Sequence, residues 1–267
     1  MCYGYDDLIK DIKALSAGGA RVGTAGKSLF GRNIWYAIVG NGFSGAMIFG
    51  AIHAREHITA KLVSSLAKNY RGRGVLFVPM VNPDGVEMAV NGADFLNPFH
   101  RDVIRKSGVI DFTGIWQANV RGVDINHNYD AGWQSIKKSP SPTRWGGEYP
   151  ESEPETRAVT ALVRRCGFDM LIAFHSQGGE IYYDFNGAVA PRSVEVAAEL
   201  ARVSGYNAEI PTGTASFGGC KDWFIKEFGK EGFTVEVGHG KNPLPLELLP
   251  DVYEENARLI LRAMELC

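Results

Sequence analysis

An α/β fold is predicted, with a mixed, mostly parallel central sheet of about eight strands flanked by helices on both faces. Two features carry it. Short Val-, Ile- and Phe-rich runs alternate with longer segments of helical period, and the first such alternation is a complete strand–helix–strand unit. No internal repeat, low-complexity tract or linker marks a boundary in the 267 residues, so one domain spanning 1–267 is expected.

Taken in order, Tyr5 to Leu15 carries Leu8, Ile9, Ile12 and Leu15 at helical spacing, behind Asp6 and Asp7, whose charges suit a first turn. Asn33–Val39, Ala46–Ile52 and Val75–Pro79 are short, β-rich and bounded by Gly, Asn or Pro, as strands are; Gly40-Asn41-Gly42 predicts a hairpin turn between the first two. Ile58–Asn69 places Ile58, Leu62, Val63 and Leu66 on one helical face. Further helices are predicted at Glu155–Arg165, Ser193–Val203, Asp222–Phe228 and Val252–Leu266, alternating with strands at Met170–Phe174, Glu180–Tyr183 and Phe233–Val237. The stretch from Met80 to Pro150 is rich in Asn, Gly, Pro and Trp and reads as a long irregular excursion, of the kind that usually serves function. Within it Asn82-Pro83-Asp84-Gly85 reads as a turn that shapes the site.

Composition excludes several classes. The chain carries 28 basic and 30 acidic residues, net charge −2, mixed along its length, so it has no electrostatic footprint for nucleic acid or an anionic membrane. No apolar run approaches the roughly 20 residues of a membrane span. Cys2, Cys166, Cys220 and Cys267 are scattered and form no metal or disulfide framework, which favours free thiols in a reducing compartment. The opening Met1–Asp7 has neither a basic nor an apolar leader region, so a cytoplasmic location is expected, or export if a leader was trimmed.

Chemistry concentrates in Phe49-Gly-Ala-Ile-His53-Ala-Arg-Glu56-His57, where an apolar run ends in a histidine and a carboxylate three residues apart. That pair gains meaning from a second apolar run ending in His175 and from Glu236, which interrupts a strand-like run. Two histidines and a carboxylate with an open position, and a separate carboxylate for protons, make a catalytic zinc site. His53-x-x-Glu56-His57 also matches a motif that supplies both histidine ligands from one helix. The glycine and β-branched residues just before it disfavour a helical turn there, which selects His53, Glu56 and His175 and leaves His57 a local, first-turn residue.

The chain resembles the zinc carboxypeptidase family of carboxypeptidase A type over nearly its whole length. The likeness rests on Gly26-Lys-Ser28 with Gly31-Arg-Asn-Ile34, His53-x-x-Glu56, Asn82-Pro-Asp-Gly85, Gly122-Val-Asp-Ile-Asn126, Ser152-Glu-Pro-Glu155, His175 and Phe233-Thr-Val-Glu236, in that order. By that resemblance His53, Glu56 and His175 bind one zinc ion, Glu236 is the general base, and Asp124 orients the first histidine ligand. Departures bear on substrate. After Asn126 the family has an arginine that grips a terminal carboxylate, and here His127 stands. Its carbonyl-polarising arginine is matched by Gln117, which Arg121, or Arg101 and Arg105 upstream, could supplement. Its mobile tyrosine has no match near Gly213 and Thr214, and its pocket-floor position, after Ala215–Cys220, holds Lys221. Lys221 is either a recognition group for an anion or a solvated lysine at a helix start.

The Trp116–Asn126 and Gly219–Ile225 runs resemble the bacterial branch that cleaves γ-D-glutamyl–diaminopimelate bonds in cell-wall peptides, so a murein-derived peptide is the implied substrate. Diaminopimelate's far end would engage Lys221, with Glu180 or Asp184 as further candidates, and Asn126 and His127, at the place of the family's carboxylate clamp, are the other substrate-binding candidates. The competing expectations are a conventional carboxypeptidase and a non-catalytic zinc-containing module that binds cell-wall peptides.

Overall fold

Period-two alternation along apolar strands builds two cores, one on each face of a single sheet. The computed structural model describes residues 2–42, 45–134, 137–214 and 217–267. Its strands are β1 (Arg21–Lys27), β2 (Asn33–Val39), β3 (Ala46–Phe49), β4 (Val75–Val78), β5 (Met170–His175), β6 (Glu180–Tyr182), β7 (Asn207–Glu209) and β8 (Glu231–Glu236), in the spatial order β1-β2-β4-β3-β5-β8-β6-β7. The four central strands β4, β3, β5 and β8 are parallel, and β1, β2 and β6 join antiparallel. The predicted fold class is the observed one.

The helices are α1 (Tyr5–Ala17), α2 (His57–Asn69), α3 (Pro83–Asn91), α4 (Pro98–Ser107), α5 (Pro154–Cys166), α6 (Ser193–Ser204), α7 (Cys220–Phe228) and α8 (Leu249–Leu266). In β5, Met170, Ile172 and Phe174 face one core with Leu62 and Val63 of α2 and Leu259 and Ile260 of α8. Leu171 and Ala173 face the other core, with Val159 and Leu162 of α5 and Trp223 and Phe224 of α7. Each large apolar side chain buried this way stabilises the fold by about 1.5–3 kcal/mol. Among the described residues no helix is long and apolar enough to cross a membrane.

Three sequence expectations are corrected. Gly40-Asn41-Gly42 does not close a hairpin, because β4 lies between β2 and β3, and Asn41 instead bridges Arg73. The excursion after Met80 is partly helical, since it contains α3 and α4, each begun by an Asn cap followed by Pro. Asn82-Pro83 is thus a helix start: Asn82 Oδ1 accepts from the Gly85 amide at 3.1 Å. Two strands also went unread, the half-exposed β1 and the exposed β7, both at sheet edges.

Glu155, in the first turn of α5, is fully buried beside Glu153 and accepts from Leu29 N and Asn119 Nδ2, each at 3.3 Å. Burial first, then the Glu153 carboxylate, push its pKa from an ordinary 4.5 to about 7. As pH rises the unfolded chain ionises before the folded one, so stability present below about pH 4.5 is lost by pH 7, by roughly 3 kcal/mol. Urea denaturation of metal-free Glu155→Gln against wild type should therefore show the variant gaining about that much between pH 4.5 and 7.5. A difference that does not move with pH would contradict it.

Candidate active site

Strand register assembles the site at the carboxyl ends of the parallel strands, where ligands sit in open α/β sheets. His175 closes β5 and pairs with Glu236, which closes β8 and pairs in turn with Glu180 of β6. These three side chains form one row along the rim. The row is held by Val237 N donating to His175 O at 2.8 Å and Gly179 N donating to Glu236 O at 2.7 Å.

His53 reaches the rim on the loop after β3. That loop passes so close to its neighbours that a Cβ on Gly50 would stand 2.7 Å from Thr59 O and 2.8 Å from Pro79 O, so only glycine fits. Ala51 follows at φ 43°, its amide donating to Thr59 Oγ1 at 2.8 Å. Asn82 ties the loop down: Nδ2 donates to Ile52 O and Ala118 O, each at 3.2 Å. Glu56 then caps α2, so His53 precedes the helix and Glu56 opens it. His57, the first residue of α2, is buried outside the cluster, and burial lowers its pKa to about 4.

The potential ligand atoms converge. His53 Nδ1 lies 2.9 Å from Glu56 Oε1, His175 Nδ1 lies 3.0 Å from Glu56 Oε2, and the two Nδ1 atoms are 3.1 Å apart. Tetrahedral zinc, with bonds of about 2.0–2.2 Å, keeps its ligand atoms about 3.3 Å apart, close to this spacing. His53 Nε2 lies 3.2 Å from Asp124 Oδ1, a contact that favours a proton on Nε2 and turns Nδ1 toward the Glu56 carboxylate. Two imidazole lone pairs and a carboxylate aimed at one point repel unless a cation sits between them. The donor set therefore fits zinc, and among the described residues His53, Glu56 and His175 are the group that could hold a metal.

The electrostatics show the same demand for positive charge. Burial alone would raise the pKa of Glu56, but His53 and His175 outweigh it and bring the carboxyl down to about 2. Burial lowers and the Glu56 and Asp124 carboxylates raise the pKa of His53, with the carboxylates prevailing. Glu236 is driven the other way, upward, by burial and then by the Glu56 carboxylate.

The other residues marked by sequence divide. Gln117 lines the cleft of about 310 Å³ around His53, Glu56 and Glu236, with Nε2 3.4 Å from His53 Nδ1. Arg121 lies outside that cleft: its Nε is 3.7 Å from Glu153 Oε2, and its side chain lines a separate cavity with Phe99 and Trp145. Asn126 Oδ1 accepts from the Cys220 amide at 3.0 Å and so supports the start of α7. His127 is buried, with Nδ1 2.8 Å from Phe217 O and Nε2 4.0 Å from Asp124 Oδ2. Lys221 is buried too, bonded to Asp222 and to the Asp184 carbonyl, so it is not a solvated lysine at a helix start. Ala215 and Ser216 lie outside the described residues.

Five cleft residues escaped the sequence reading: Arg55, Ser176, Gln177, Tyr182 and Asn242. Arg55 had a signal, since it sits between His53 and Glu56 and shares their loop. Its buried Nε has no hydrogen-bond partner among the described residues. Ser176 and Asn242 had none, because their contact, Ser176 Oγ donating to Asn242 Oδ1 at 2.7 Å, joins loops 66 residues apart.

With this fold and cluster in place, comparison with known proteins defines the class. A profile of the zinc carboxypeptidase family matches residues 5–258, and the chain belongs to that family of zinc metallopeptidases. Among its relatives, γ-D-glutamyl-L-diamino acid endopeptidase 1 of Lysinibacillus sphaericus is 34% identical over 99% of this chain and 72% of its own. Murein peptide amidase A of Escherichia coli K12 is 24% identical over 56% of this chain and 57% of its own. The fold superposes on bovine thrombin-activatable fibrinolysis inhibitor, in its complex with tick carboxypeptidase inhibitor, with a TM-score of 0.77. The identity is 19%, over 99% of this chain and 97% of that one.

Proposed function

We propose that this protein is a zinc peptidase that hydrolyses the γ-D-glutamyl–diaminopimelate amide bond of bacterial cell-wall peptides. The observation that carries the reading is the similarity, over 99% of this chain, to an endopeptidase named for γ-D-glutamyl and diamino acid groups. The cleft supports it. The residue after Asn126, where the resemblance calls for a carboxylate-gripping arginine, is a histidine engaged with Phe217 O.

Zinc bound by His53, Glu56 and His175 supplies Lewis acidity, which acidifies water and polarises a carbonyl oxygen. Asp124 holds the His53 ring in the orientation and tautomer a ligand needs. Glu236, at the end of β8, accepts the proton of the attacking water and returns it to the leaving nitrogen. Burial raises its proton affinity above that of an exposed carboxylate, which suits a group that takes up a proton. Gln117 donates a hydrogen bond to the carbonyl oxygen as negative charge develops there. Arg55 adds a fixed positive charge to the same cleft. Arg121 supports the turn at 119–123, its amide donating to Asn119 Oδ1 at 3.0 Å.

The test is product mapping by mass spectrometry on two isomeric peptides, L-Ala-γ-D-Glu-diaminopimelate and its α-linked counterpart, beside ordinary peptides with free C-termini. Release of diaminopimelate from the γ-linked isomer, with little action on the rest, is the expected result. Stepwise loss of C-terminal residues from ordinary peptides would establish a conventional carboxypeptidase instead, and zinc-dependent binding without turnover would establish a binding module.

A further inference from the structure

Glu180 has a place in the rim that no step above uses. It is the third member of the row His175, Glu236, Glu180, and antiparallel pairing puts its side chain on the same face as that of Glu236. Tyr182, two residues along β6, shares that face, and both line the cleft with His53 and Glu56. The Tyr182 hydroxyl donates to Glu180 Oε2, which fixes the carboxylate. Glu180 Oε1 has no hydrogen-bond partner among the described residues, and no lysine, arginine or histidine among them pairs with Glu180. Elsewhere half-exposed carboxylates find cations, as Glu199 does with Arg202 and Arg262.

The backbone leaves room for this group. Gly178 turns the chain at φ 154°, and a Cβ there would stand 3.3 Å from Glu180 Oε2. Arg55 lines the same cleft but does not pair with Glu180, so this carboxylate, facing a cleft that also holds Glu236, still gains from a positive charge of its own. Its partner is not a second metal, because one carboxylate and a phenol that is already donating offer too few ligands. A primary ammonium suits it, being compact, cationic and purely a donor. At the opposite polarity, Arg55 Nε is a buried donor without a partner in the same cleft.

We propose that Glu180, positioned by Tyr182, is the specificity-determining residue of this cleft and recognises a primary ammonium on the residue that leaves as the amine. This deepens the peptidase reading above and rests on it: a diamino acid carries such a group on its side chain.

The experiment uses the zinc-loaded protein and peptides whose leaving residue is lysine or norleucine, which differ by the ammonium, each in γ-linked and α-linked series. Wild type is expected to prefer lysine in kcat/KM by about 10–100-fold, the range of a charge-assisted hydrogen bond. In Glu180→Gln that ratio should collapse toward one, and in Tyr182→Phe it should fall part of the way. An unchanged ratio in Glu180→Gln, or no lysine preference in wild type, would overturn the proposal. Calorimetric binding of the same pair to zinc-loaded Glu236→Gln reads the discrimination without turnover. A lysine preference confined to α-linked peptides would refute the cell-wall reading and leave the role of Glu180 standing. Cleavage of γ-linked peptides without a lysine preference would do the reverse.

Discussion

Replacing Glu236 with glutamine is expected to lower kcat by about 10²–10⁴-fold, the range for loss of a general acid–base group, while zinc remains bound. The amide is nearly isosteric and can occupy the end of β8 beside His175, so register and fold should persist. It cannot accept the proton of the attacking water. The drop should therefore fall on kcat, with KM changed far less, since Glu236 acts on the reacting atoms and not on distant parts of the peptide. Steady-state kinetics with metal analysis of the same preparations decides it. Activity within tenfold of wild type would remove Glu236 from the proton path.

His175→Ala is expected to lose zinc outright, and with it all turnover. Changing a residue that only orients a ligand costs about 10–100-fold in metal affinity, so Asp124→Asn should fall in that range and deletion of a ligand well beyond it. The buried setting sharpens the effect: without His175, His53 and Glu56 alone face the site, and two ligands do not hold zinc against a chelator. Competition with a chelator gives the affinities. A second readout is thermal, since zinc should raise the unfolding midpoint of wild type by mass action and leave that of His175→Ala unmoved. A midpoint shift retained in His175→Ala would mean that the metal sits elsewhere.

The parts of this molecule legible in its sequence are those whose cause is local. β3, β4 and β5 read as strands because burial on both faces makes them nearly continuous apolar runs, and β8 reads from the alternation of buried Phe233 and Val235 with Thr234. The candidate zinc ligands His53 and His175 stand out in the sequence because each ends such a run, and Glu56 because it lies three residues beyond His53. β1 was hidden because Arg-Val-Gly-Thr-Ala-Gly-Lys, on an exposed edge, needs neither alternation nor bulk. The misplaced hairpin shows the limit of turn chemistry, since Gly40-Asn41-Gly42 signals a turn but cannot signal that β4 returns to lie between the flanking strands. α3 and α4 were masked by the Pro residues that begin them. For Arg121, His127 and Lys221, motif position named the residue but tertiary packing decided what its side chain meets. Glu180 gained its place beside Glu236 only through strand register, which no spacing in the chain reveals.

The most direct measurement is a titration of zinc into the metal-free protein while release of diaminopimelate from L-Ala-γ-D-Glu-diaminopimelate is followed by mass spectrometry. Turnover should be absent without metal, rise in proportion to bound zinc and level off at one ion per chain. Turnover in excess chelator, saturation only at two ions, or an intact γ-linked bond at full zinc occupancy would contradict a one-zinc peptidase acting on cell-wall peptides.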